Sequence, residues 1–157
     1  MKRYRRFPKL TFVNHHFSYL IAAMQLRYGP CNDAPDFLPA VRQAVGRLAI
    51  DCLLADAAYD AESHHQICRE ELGIRQTVIP INPRGPKAHR PAGRYRRQMH
   101  KRFPRRTYRR RWHAESVNSQ HKRRLGSALR ARTPAGRQAE CFLRILVHDL
   151  MILRRAA

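Results

Sequence analysis

Glu115 is the one acid between Arg84 and Arg124, a stretch that holds 16 Lys and Arg residues. On an α-helix each residue turns about 100°. Tyr108, Arg111, Glu115 and Lys122 would then fall within an arc of about 60°. A phenol, a guanidinium, a carboxylate and an ammonium would project together. Ala114, Val117, Leu125 and Ala128 would take a neighbouring face able to pack on a sheet. The plainest use of such a group is an i, i+4 salt bridge on a solvated face. The other is phosphate chemistry, in which Arg offers a bidentate fork and Lys a point charge.

The composition favours a polyanionic partner. The chain has 157 residues and a formal net charge of +21, of which +15 lies in residues 84–124. Its pI is about 11.4. Nucleic acid is the usual partner of such charge, and an acidic membrane surface is the weaker alternative. Hydrophobic residues make up 43% of the chain, enough for a folded core rather than disorder. No apolar run reaches the 18 or so residues of a spanning helix, so no membrane partner is expected. The basic start and "FSYLIAAMQL" loosely mimic a secretion signal, but "VNHH" interrupts them and no cleavage site follows. Cys31, Cys52, Cys68 and Cys141 form no C-x-x-C pair and read as reduced, mostly buried thiols of a cytoplasmic protein. His64 and Cys68, with His65, His15 and His16, do not complete a zinc set. Cys68 is read as core, His64 as surface and Trp112 as partial core; Tyr59 and Tyr95 are left open. Charge alone would also suit a non-catalytic basic nucleic-acid-binding protein.

The elements that would position these residues follow from periodicity. Residues 9–28 read as two strands with "NHH" between them. Asn32 or Asp33 caps a helix whose apolar face is Phe37, Leu38, Val41, Val45 and Leu48. Residues 50–56, "IDCLLAD", read as a buried parallel strand ending in an acid. Residues 61–73 form a short helix closed by Gly73, and "IRQTVIPINP" a strand stopped by Pro83. This order indicates an α/β domain. Three segments are expected: a strand and helix core over 9–83, a basic loop over 84–106, and C-terminal helices over 107–155. The first of these helices runs from about Thr107 to Gly126. "TPAG" at 133–136 caps the second, whose apolar positions are Phe142, Ile145, Leu146, Leu150 and Leu153.

Tyr108, Arg111, Glu115 and Lys122 reproduce the spacing Y-x2-R-x3-E-x6-K. This resembles the signature around the catalytic glutamate of bacterial insertion-sequence DDE transposases. "LLADAAYDAE" is similar to that family's segment around its second catalytic aspartate. "GPCNDAPDF" resembles the stretch after its third strand, and "ECFLRILVHDLMIL" its closing helix. The resemblance covers nearly the whole chain. It implies a ribonuclease H-like fold in which Asp56 and Glu115 are catalytic and bind metal. It implies two divalent ions, Mg²⁺ or Mn²⁺, for in-line displacement at phosphorus. It places Tyr108, Arg111 and Lys122 on DNA near the scissile phosphate. Arg105, Arg106, Arg109 and Arg110 would add backbone affinity. DNA is the partner it implies, with a homodimer on paired ends as a further candidate and a nucleoid location.

The family site needs three carboxylates, the first on the first strand. No Asp precedes Asp33, and Asp33, Asp36 and Asp51 lie at the wrong places for it. "MKRYRRFPKL" looks like the linker after that strand. The chain therefore resembles the C-terminal part of such a domain, with the first strand missing, and is expected to bind DNA with little or no catalysis. Two smaller departures are Ala57–Ala58 where a Gly is common, and Asp149 where Asn is usual.

Overall fold

The computed structural model describes residues 7–83, 91–126 and 128–156. The chain forms two compact units, Met1–Pro30 with Trp112–Ala157, and Cys31–Arg111.

In the first unit, β1 (Phe7–Asn14) and β2 (Ile21–Gly29) pair antiparallel, with Phe12 opposite Met24 and the register shifting between Val13 and Asn14. The expected turn lies between them. The His15 N–H donates to the Leu20 carbonyl, and Tyr19 closes the bend at φ +62°. Further along the chain, α5 (Trp112–Leu125) ends at Gly126, whose φ of +85° suits a residue without Cβ. The last helix, α6 (Pro134–Ala156), starts where the Thr133 hydroxyl accepts the Gly136 N–H at 3.1 Å. Ile21, Val117 and Ile145 make the core, with Phe12, Tyr19 and Met24 against it.

In the second unit, α1 (Ala34–Val45) buries Phe37, Ala40, Val41 and Ala44. β3 (Cys52–Leu54) pairs parallel with β4 (Gln76–Val78). Between them α2 (Glu62–Gln66) widens into a π-helical turn over Ile67–Glu71, closed by the Leu72 N–H on the Ile67 carbonyl. Gly73 follows at φ +69°, the helix stop read from sequence. Phe37, Val41, Leu53, Cys68, Ile74 and Ile79 form the core.

The mixed α/β class and the order strand–strand–helix–strand–helix–strand stand. Several details differ. Leu48 lies beyond α1 and is exposed. The fourth strand ends at Val78, because Pro80 has no N–H for the ladder. Of the segment expected to be loop, 84–90 lies outside the described residues, but Arg94–Lys101 is a helix, α3. The long helix from Thr107 is broken. Its first turn, α4 (Arg105–Tyr108), passes through a 3-10 turn at Arg109–Arg111 before α5. Ala128, placed on its packing face, lies past its end and is exposed.

On α6 the apolar positions read from sequence divide between core and surface. Cys141, Ile145 and His148 are buried, whereas Phe142, Leu146, Leu150 and Leu153 are exposed. Two polar contacts fix this rotation. His148 Nε2 donates to the Tyr19 carbonyl at 3.2 Å, and Asp149 Oδ1 accepts the Ile21 N–H at 3.0 Å. All four cysteines are free; Cys68 and Cys141 are buried, and Cys31 and Cys52 partly so. No helix among the described residues is long and apolar enough to cross a membrane.

Candidate functional site

Asp56 follows the C-terminal end of β3, where α/β sites commonly lie. The Ala55 N–H is still held by the Val78 carbonyl, at 3.1 Å. Asp56 then opens the 3-10 turn Ala57–Tyr59 with its carbonyl accepting the Tyr59 N–H, and its side chain does not cap the turn. That carboxylate is about half exposed, and Arg111 Nη1 lies 3.4 Å from its Oδ2. The Arg111 guanidinium carbon is 5.7 Å from the Tyr108 ring centroid, and Phe103 meets the same ring edge-on at 5.1 Å. Asp56, Arg111 and Tyr108 are thus brought together within one unit. Arg105, Arg106, Arg109 and Arg110 are exposed on the same short stretch.

Glu115 and Lys122 belong to the other unit, on α5, and both are exposed. The unbroken helix on which the four-residue arc was read is interrupted by the 3-10 turn at Arg109–Arg111. Glu115 lines an open groove with Trp112, Ser116, Ser119, Gln120 and Arg123. The last four were not singled out from sequence, though their i+1, i+4, i+5 and i+8 spacing from Glu115 carried the signal. The opposite face buries Val117 and His121. His121 packs edge-on against Phe12 at 5.4 Å, and burial holds its pKa below the ordinary histidine value. Trp112 is exposed rather than partial core.

His64 is not a surface residue. It is buried against Phe37 at 4.5 Å, with its Nδ1 donating to the Tyr59 carbonyl at 2.7 Å. Tyr59 itself packs on the core beside Phe37. His65 is fully buried, 2.6 Å from the Thr77 hydroxyl, and burial with the nearby Arg69 charge lowers its pKa to about 4.

Two groups define the placement of α3. Asp60 is buried and accepts both the Nε and Nη2 of Arg96 at 2.8 Å, and the Asn82 N–H at 2.9 Å. Glu62 accepts the Tyr95 and Arg96 N–H groups, each at 2.9 Å, and so caps the helix.

Among the described residues no three His, Cys, Asp or Glu side chains gather closely enough to hold a metal ion. With Asp56 facing a guanidinium, this donor set does not fit a two-ion centre.

A strand-end aspartate beside a strongly basic helical segment, in a mixed α/β chain, is an arrangement suited to phosphodiester substrates. A family model described as a transposase DDE domain matches residues 2–150, and the chain belongs to that family. Transposition is the function that membership supports; such proteins act on DNA and generally use divalent metal ions. Neither the curated proteins nor the solved structures gave a match.

Proposed function

We propose that these residues are the C-terminal part of a ribonuclease H-like catalytic domain acting in DNA transposition, and that alone they bind DNA without cutting it. In this reading Asp56 is the second carboxylate and Glu115 the third. The first comes from a strand upstream of these 157 residues, and Mg²⁺ or Mn²⁺ requires it. The pairing of Arg111 with Asp56 at 3.4 Å carries the reading. It joins two motifs far apart in the sequence, each of which resembles a catalytic segment of the family. The sheets lend support: β1 pairs with β2 and β3 with β4, which leaves each pair an edge open among the described residues. A first strand bearing the missing Asp can pair at such an edge.

Tyr108, Arg111 and Lys122 then meet the DNA near the reacting phosphate. Arg105, Arg106, Arg109 and Arg110 supply backbone contacts whose affinity falls as salt rises. A homodimer on paired DNA ends and residence on the nucleoid belong to the same reading. The test is a fluorescence-anisotropy titration with element-end and scrambled duplexes over a salt series. Steeply salt-dependent binding to both supports it. Weak, salt-independent binding refutes it.

A further inference from the structure

The helix α3 is held in place against its own local preferences. It has eight residues, too few to persist alone. Arg94 and Arg97 are three apart and Arg97 and Lys101 four apart, so like charges face one another along one side. No acid lies in its first turn, and Arg94 there opposes the helix dipole.

Long-range contacts overcome these terms. Glu62 caps the first N–H groups. Gly93, at φ +91°, permits it, since a Cβ there would collide with the Glu62 carboxylate. Arg96 is fixed by buried Asp60. The Tyr95 ring is buried with its hydroxyl donating to Glu70 at 2.8 Å and the Arg69 guanidinium 4.6 Å from its centroid. Met99 is buried on the same side. Arg94, Arg97 and Lys101 remain exposed, and Arg97 is oriented by its Nε donating to the Gly93 carbonyl at 2.9 Å. A fold that breaks local rules to display three cations is expected to do so for a ligand.

We propose that the outward face of α3, Arg94, Arg97 and Lys101, is a second contact for the backbone of duplex DNA, additional to residues 105–111. This rests on the DNA-binding reading above. From Arg94 to Lys101 the helix advances about 10 Å. That is the axial length of about three phosphates of one strand.

The experiment measures binding of a random-sequence DNA duplex by anisotropy between about 50 and 200 mM salt. It compares the full chain, the triple variant Arg94→Gln, Arg97→Gln, Lys101→Gln, and the quadruple variant with Gln at 105, 106, 109 and 110. The triple variant makes the slope of log affinity against log salt shallower by about 2.7. Its thermal midpoint changes little, since relief of like-charge repulsion offsets the loss of the Arg97 bond to Gly93 and of the Arg94 contact with the Tyr95 ring. A triple variant with the parent's slope, beside a quadruple variant with a reduced one, overturns this proposal and leaves the DNA reading standing. A parent chain that does not bind the duplex overturns both.

Discussion

Asp60→Ala tests the internal scaffold of the second unit. The Asp60 side chain is 1% exposed and accepts two bonds from Arg96, whose side chain is 24% exposed. It also accepts the Asn82 N–H. Removing it strands a guanidinium and a backbone donor. Breaking a buried pair costs about 3 to 5 kcal/mol. Water reaches part of Arg96, so the expected loss is about 2 to 3 kcal/mol. For a unit of this size that lowers the thermal midpoint by about 10 to 20 °C. The control is Asp51→Ala. Asp51 binds Arg75 with the same two-bond geometry, at 2.7 and 2.6 Å, but with both side chains mostly exposed. Its loss leaves the midpoint nearly unchanged. Differential scanning calorimetry reads both variants. Equal, small shifts would refute the argument that burial, rather than geometry, gives the Asp60 pair its value. Asp60→Ala is also expected to weaken DNA binding at temperatures where the unit stays folded, because α3 loses its anchor.

The remaining expectations can be checked on the same material. His65 has a folded pKa of about 4 against 6.5 unfolded. The unfolded chain therefore takes up its proton first on acidification, and stability present above pH 6.5 is lost as pH falls towards 4. The loss reaches about 3 kcal/mol, and His65→Gln flattens that slope in urea titrations run across pH. Val117→Ala, in the core of the first unit, lowers stability by about 1 to 3 kcal/mol, whereas Leu150→Ala on the exposed face of α6 changes it by less than about 0.5 kcal/mol. Lys122→Gln leaves the thermal midpoint unchanged and reduces the salt slope of DNA binding by about 0.9.

Where residues specify their neighbours locally, the sequence was enough. The β-branched and aromatic run of residues 9–28 made the hairpin, the apolar run before Asp56 made β3, and Gly73 marked its helix end. α3 was hidden because its buried face is only Tyr95 and Met99, and its cap and ion partner, Glu62 and Asp60, come from far up the chain. Six of its eight residues are polar or charged, which reads as loop. The division of the α6 apolar positions between core and surface was hidden for another reason. Apolar residues cover much of that helix, so period alone does not select a face; His148 and Asp149 do, through single polar contacts to Tyr19 and Ile21. At the candidate site, Asp56 and Arg111 were legible as types and spacings. The 3-10 turn that interrupts the helix between Tyr108 and Glu115 lies in a run of three arginines, Arg109–Arg111, whose helical propensity gives no warning of it.

The most direct measurement incubates the purified 157-residue chain with supercoiled plasmid carrying the element's ends, in Mg²⁺ and then in Mn²⁺. Retardation and nicking are followed on the same gels. The account predicts retardation that weakens with salt and no nicking in either metal, because in the proposed reading the first carboxylate is supplied from outside these residues. Nicking by this chain that disappears in Glu115→Ala would contradict it, and would mean that these residues complete a catalytic site by themselves.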